Sequence, residues 1–213
     1  SQNRIPLVQN GTVDLECGST TNNATRAKDV SFAVTTYVEE VRILTKSNSG
    51  INGIGDLKGK TVATTTGTTS VQTLRKNKRA EGVDFKEVMG KDHADSFLLL
   101  ESGRADAFGM DGSILAANAA KSKNPKDFKI VGEVLSVEPI ACMLPKGDAK
   151  LKKAVDDSIV RQIKDGSLAK LYDKWFTQPI PPNNVNLNMP VSEGTKAAWA
   201  NPNDKPMEAY APK

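Results

Sequence analysis

The segment Gly18-Ser19-Thr20-Thr21-Asn22-Asn23-Ala24-Thr25-Arg26 has the residue types that hold a carboxylate. Ser19 and Thr21 each offer one hydroxyl hydrogen, and Arg26 offers a planar fork that can grip both oxygens at once. A second polar cradle stands at Gly67-Thr68-Thr69-Ser70. There the glycine permits a tight turn, and a helix starting just after it would aim its first N–H groups at an anion. A lone acid, Asp111, suits an ammonium. Together these groups fit a ligand that carries both an amino and a carboxyl group. Each also has a plainer reading. Arg26 can be a surface arginine, Ser19 and Thr21 turn formers, and Thr68, Thr69 and Asp111 helix caps.

His93 is the only histidine. A solitary histidine is more often a structural hydrogen-bonder than a ligand, and nothing else in the chain completes a metal site or a nucleophile pair. No catalytic residue is assigned.

The elements that must position these groups follow from hydrophobic patterning. Residues 13–17 alternate as a strand leading into the first polar segment. Residues 1–10 read as a helix ending at Gly11, with Pro6 interrupting its first turn. Residues 30–34 and 41–43 are extended. Strand and helix then alternate: strands at 61–65, 85–88, 105–110 and 128–131, with helices from 70, over 95–102 and over 112–120. That alternation predicts a parallel-rich α/β layer. A further strand at 141–144 precedes two helices marked by Leu151, Val155 and Ile159, and by Leu168, Leu171, Tyr172 and Trp175; these stripes are core. Seven of the eleven prolines lie beyond Gln178, which predicts an extended tail with one short helix over 192–200.

With 213 residues the chain can support two modest cores. The formal charge of +4 does not point to nucleic acid, because the basic residues are scattered and aromatics are only 5%. No run of eighteen apolar residues is present to span a membrane. The two cysteines, Cys17 and Cys142, both sit in apolar segments. In a cytosolic protein they would be buried thiols; in an exported one, a pair with no third member reads as a disulfide.

Taken in order, Ser1-Gln2-Asn3-Arg4-Ile5-Pro6, the segment 16–23, Asp56-Leu57-Lys58-Gly59-Lys60, Gly67 to Ser70, Asp92-His93, Leu100-Glu101-Ser102-Gly103-Arg104 and Lys174-Trp175-Phe176 resemble one family. They are similar to the polar amino-acid-binding proteins that serve bacterial ABC importers, and in detail to the glutamate/aspartate branch. The resemblance implies a two-lobed α/β periplasmic-binding-protein fold with a ligand cleft between the lobes. Lobe I would be 1–45 and 136–213, and lobe II the insertion 46–135. It implies an exported, periplasmic protein without enzymatic activity or cofactor, which delivers L-glutamate or L-aspartate to a membrane permease. Ser19, Thr21 and Arg26 would take the α-carboxylate with Thr68 and Thr69, Asp111 the α-ammonium, and His93, Arg4 and Ser1 the side-chain carboxylate. Cys17 and Cys142 would be bonded.

The family pattern also has a signal peptide and two βα units ahead of the point where this chain begins, roughly 60–70 mature residues. Lobe I is therefore expected to be incomplete, and either to associate with a second copy of the chain or to be loosened. Two alternatives use the same fold: the ligand-binding domain of an amino-acid sensor or receptor, and a dehydratase-like periplasmic enzyme.

Overall fold

A computed structural model describes residues 1–210. The chain runs α1 (Arg4–Gln9), β1 (Val30–Phe32), β2 (Tyr37–Lys46), β3 (Thr61–Thr65), α2 (Thr69–Ala80), β4 (Lys86–Gly90), α3 (His93–Glu101), β5 (Ala107–Asp111), α4 (Gly112–Lys121), β6 (Phe128–Ile140), β7 (Met143–Pro145), α5 (Ala149–Lys164), α6 (Ser167–Phe176) and α7 (Glu193–Ala200). It divides into two units. The inserted unit comprises Glu40–Ser136 with Ser1–Gln2 and Pro179–Leu187. The flanking unit comprises Asn3–Glu39, Val137–Gln178 and Asn188 onward.

A five-stranded sheet in the order β4-β3-β5-β2-β6 organises the inserted unit. β3 is parallel to both β4 and β5, while β2 runs antiparallel to β5. Side chains alternate across a strand, so neighbouring residues feed opposite cores. Ile43, Val62 and Ala107 face one cluster with Leu74 of α2. Leu44, Ala63 and Phe108 face the other with Phe97 and Leu100 of α3 and Leu115 of α4. Burying both faces this way is what parallel strands with crossover helices require.

In the flanking unit, β1 pairs antiparallel with β7, matching Phe32 to Met143. The same alternation puts Phe32 and Met143 against Val8 of α1, and Leu144 against Ile159 of α5. Pro6 sits within the first turn of α1, where its missing N–H breaks no helical bond. The tail packs: the Trp199 indole donates to Thr36 O at 2.7 Å, and the Thr195 hydroxyl accepts from Val38 N at 2.9 Å. Tyr172 and Phe176 stack at 4.2 Å.

Several expectations need correcting. Residues 13–17 form no strand; only Glu16 bridges to Met143, because the Glu16 carboxylate turns back to accept from Gly18 N and the Thr20 hydroxyl. Residues 41–45 belong to the inserted unit, since they pair with β5 from Val41↔Asp111 to Thr45↔Ala107. The division falls after Glu39 and Ser136, and the proline-rich Pro179–Leu187 groups with the inserted unit. β6 is far longer than 128–131. Its polar residues and Pro139 disguise it, yet it is the edge strand, where a proline's missing donor is tolerated.

Asp156 shows how a single side chain closes the sheet of the flanking unit. Its Oδ1 accepts from Val34 N at 2.8 Å, and its Oδ2 pairs with Lys152 Nζ, which also reaches Asp204. Partial burial works against the Lys152 charge, but hydrogen bonds to Asp156 and Asp204 outweigh it and raise its pKa above the ordinary lysine value. Asp156→Ala should cost about 1–3 kcal/mol, because it strands a buried N–H. Asp156→Asn keeps an acceptor and should recover most of that loss. Urea midpoints followed by tryptophan fluorescence test this, and an alanine variant within about 0.5 kcal/mol of the parent would refute it.

Candidate functional site

In the inserted unit, the polar residues gather where β3, β4 and β5 end and α2, α3 and α4 begin. In open α/β sheets the carboxyl ends of the strands are where ligands bind. Gly67 makes the turn after β3 with φ +77°, and a Cβ there would come within 2.6 Å of Gln2 Cα. Only glycine lets the Ser1-Gln2 segment lie against this turn. Thr68 takes the N-cap position of α2 but makes no capping bond; its hydroxyl instead donates to Thr65 O at 2.8 Å. The capping reading of Thr68 therefore fails, and its side chain does not occupy the first amides of α2. Thr69 is the first residue of that helix.

Asp111 ends β5 and is 4% exposed. It occupies the N-cap position of α4, again without a side-chain capping bond. Burying a carboxylate is costly unless something pairs with it. α3 differs from its two neighbours: Asp92 caps it in the ordinary way, accepting from Asp95 N at 2.8 Å. His93 is its first residue, and its Nδ1 lies 3.1 Å from the Thr65 hydroxyl oxygen. Thr65 in turn meets the Ser96 hydroxyl at 2.8 Å, deep in the core.

In the flanking unit, the segment 18–26 is held at several points. Thr21 bridges Ile140, and its hydroxyl donates to Glu138 Oε2 at 2.5 Å. Glu138 is fully buried, and Asn22 N donates to Pro139 O. Arg26 is oriented by its own loop: its backbone N–H is held by Asn23 Oδ1 at 2.8 Å, and Nη1 donates to Thr21 O at 2.9 Å. Arg4 reaches the same segment from α1, donating from Nη1 to the Thr20 hydroxyl at 2.7 Å, which passes its own hydrogen to Glu16. Ser19 lies half-buried between Gly18 and Thr20. Cys17 and Cys142 form a disulfide that fastens the start of this segment to the strand region carrying Glu138.

The structure thus brings Thr68, Thr69, His93 and Asp111 together in one unit, with Ser1 assigned to the same unit. It places Arg4, Ser19, Thr21 and Arg26 in the other. Sequence reasoning missed Glu138, Glu16, Thr20, Thr65 and Ser96. A charged residue inside the apolar run 137–144 was the available signal for Glu138. The others had none, because their partners are fixed only by the fold. Among the described residues no group of three or more His, Cys, Asp or Glu side chains is placed to hold a metal ion. No described helix is long and apolar enough to cross a membrane.

Comparison with known proteins agrees with this architecture. The L-glutamate/L-aspartate-binding protein of Pseudomonas aeruginosa is 50% identical over 208 residues, covering 98% of this chain and 69% of that protein. The glutamate/aspartate import solute-binding protein of Salmonella typhimurium is 49% identical over 205 residues, covering 96% and 68%. Among solved structures, an ancestral arginine-binding protein bound to glutamine superposes with a TM-score of 0.74 at 32% identity, covering 82% of this chain and 76% of that one. Residues 1–178 match the bacterial extracellular solute-binding proteins, family 3, and the chain belongs to that family.

Proposed function

We propose that this protein is the solute-binding component of a bacterial ABC importer and captures L-glutamate and L-aspartate outside the cytoplasmic membrane. The observation that carries this reading is that two arginines are held on one polar loop, Arg4 by the Thr20 hydroxyl and Arg26 by the Thr21 carbonyl. Two guanidinium groups match the two carboxylates of a dicarboxylic amino acid. Arg26 and the Ser19 hydroxyl take the α-carboxylate together with backbone N–H groups at Thr68 and Thr69. Thr21 sets the loop, because the hydroxyl hydrogens of Thr21 and Thr68 already go to Glu138 and Thr65 O. Asp111 takes the α-ammonium. Arg4, His93 and Ser1 take the side-chain carboxylate. The relatives named for glutamate and aspartate support the choice of ligand, and the family supports capture rather than catalysis.

Calorimetric titration with the twenty common amino acids tests this. Glutamate and aspartate should bind, and glutamine and asparagine should bind at least about tenfold more weakly, a gap of about 1.4 kcal/mol, because a neutral amide gains less from Arg4. Tighter binding of glutamine or lysine would overturn the assignment.

We extend the proposal to self-association. Among the described residues β1 has β7 as its one strand neighbour, and Leu7 and Leu15 are 38% and 39% exposed on adjoining segments linked by the Val13 N to Leu7 O bond. A second copy would cover that surface and extend the sheet. Size exclusion with light scattering should show a dimer that dissociates on dilution; a monomer mass at every concentration would rule it out.

A further inference from the structure

The hydrogen bonds around His93 fix which of its ring nitrogens carries a proton. Ser96 Oγ lies 3.0 Å from Thr64 O and 3.0 Å from Asp92 O. Both are carbonyl oxygens and can only accept, so the single Ser96 hydroxyl hydrogen is committed to them. Ser96 Oγ also lies 2.8 Å from Thr65 Oγ1. With its own hydrogen committed, Ser96 must accept there, and Thr65 must donate. That uses the only hydrogen of Thr65. The contact of 3.1 Å between Thr65 Oγ1 and His93 Nδ1 then has a single solution, with Nδ1–H donating. Thr65 and Ser96 are 0% exposed, so water cannot relax this order.

A neutral imidazole with its hydrogen on Nδ1 presents a lone pair at Nε2. A carboxylate brought there meets lone pair against lone pair. It becomes a partner only when Nε2 is protonated too. A carboxamide has no such conflict, because its NH2 can donate to the neutral ring. On the reading given under Proposed function, in which His93 meets the ligand's side-chain carboxylate, we propose that capture of an acidic amino acid is coupled to uptake of one proton by His93.

Several charged groups lie on the elements around the ring. On its own segment these are Lys91, Asp92 and Asp95. Of the elements packed on α3, β3 contributes only hydroxyls at this end, β4 contributes Lys86 and also Glu87, which pairs with Arg75, and β5 contributes Asp111. α4 contributes no titratable side chain before Lys121. The sign follows: acidic-ligand affinity is greatest where the ring is already protonated and falls as pH rises. The preference for glutamate over glutamine therefore narrows in alkaline solution.

Glutamate titrations at pH 8 in buffers of different ionisation enthalpy measure the protons taken up. The parent should take up about one proton more per ligand than His93→Gln, and its Kd should rise by up to about tenfold per pH unit above neutrality. Subtracting the variant removes other groups that titrate there, such as the α-amino group. Because His93 is the only histidine, ring 15N spectra of the unaltered protein give an independent test that needs no variant. The free protein at pH 8 should show the Nδ1–H tautomer, and addition of glutamate should protonate both nitrogens. An Nε2–H tautomer, or glutamate binding with no extra proton, overturns the coupling while leaving glutamate capture standing. Failure of every dicarboxylic amino acid to bind overturns the functional reading, and the coupling with it.

Discussion

Arg26→Ala is expected to weaken glutamate binding by about 3–5 kcal/mol, roughly 150- to 5,000-fold, because it strands a desolvated ligand carboxylate opposite no charge. The size of the effect follows from how the side chain is held. Asn23 fixes its backbone and Thr21 O takes Nη1, so the guanidinium is oriented before any ligand arrives. Little side-chain entropy is then lost on binding. Arg26→Lys keeps the charge but loses the planar fork, and it should fall between the parent and the alanine variant. Calorimetry on variants whose urea midpoints match the parent separates this from unfolding. Binding within threefold of the parent in Arg26→Ala would remove Arg26 from the site.

The same loop shows how far the sequence could be read. Its polar run, glycine and arginine pointed to a candidate anion site beside the plainer reading of turn formers and a surface arginine, and the structure shows Arg26 anchored within that loop. The inserted unit was legible for a similar reason. Residues 61–65 and 107–111 are dense in small and β-forming residues, alternate in the chain with helical segments, and end in a glycine turn or an acid. The structure adds what those patterns cannot carry. Thr21 donates to Glu138 across 117 residues, and Thr65 meets Ser96 across 31. A single sequence does not say which distant residues meet. Residues 13–17 failed for a local reason: the alternation was real, but Glu16 bonds to its own neighbours rather than entering a ladder. β6 failed in the opposite direction. As an edge strand it tolerates the proline and polar residues that argue against a central strand.

Removing the disulfide should cost nearly as much as removing Arg26, but in stability rather than affinity. Cys17 and Cys142 are 125 residues apart, and that loop contains all of Glu40–Ser136. If both units unfold together, closing the loop is worth about 5 kcal/mol in the chain-entropy account. If the inserted unit stays folded, it short-circuits the loop to about 30 free residues and the term falls to about 3.5 kcal/mol. The two cases can be told apart. Both tryptophans, Trp175 and Trp199, lie in the flanking unit, so their fluorescence reports that unit alone. Amide exchange within β3 and β5 reports the inserted one. The Cys17→Ser/Cys142→Ser variant should lower the fluorescence midpoint in urea and leave protection in β3 and β5 largely intact, because both bonded ends belong to the flanking unit. The parent should show no free thiol when unfolded without reductant. A double variant within about 1 kcal/mol of the parent would mean that the Glu16–Met143 bridge and the packing of Met143 hold the two ends together without the covalent bond.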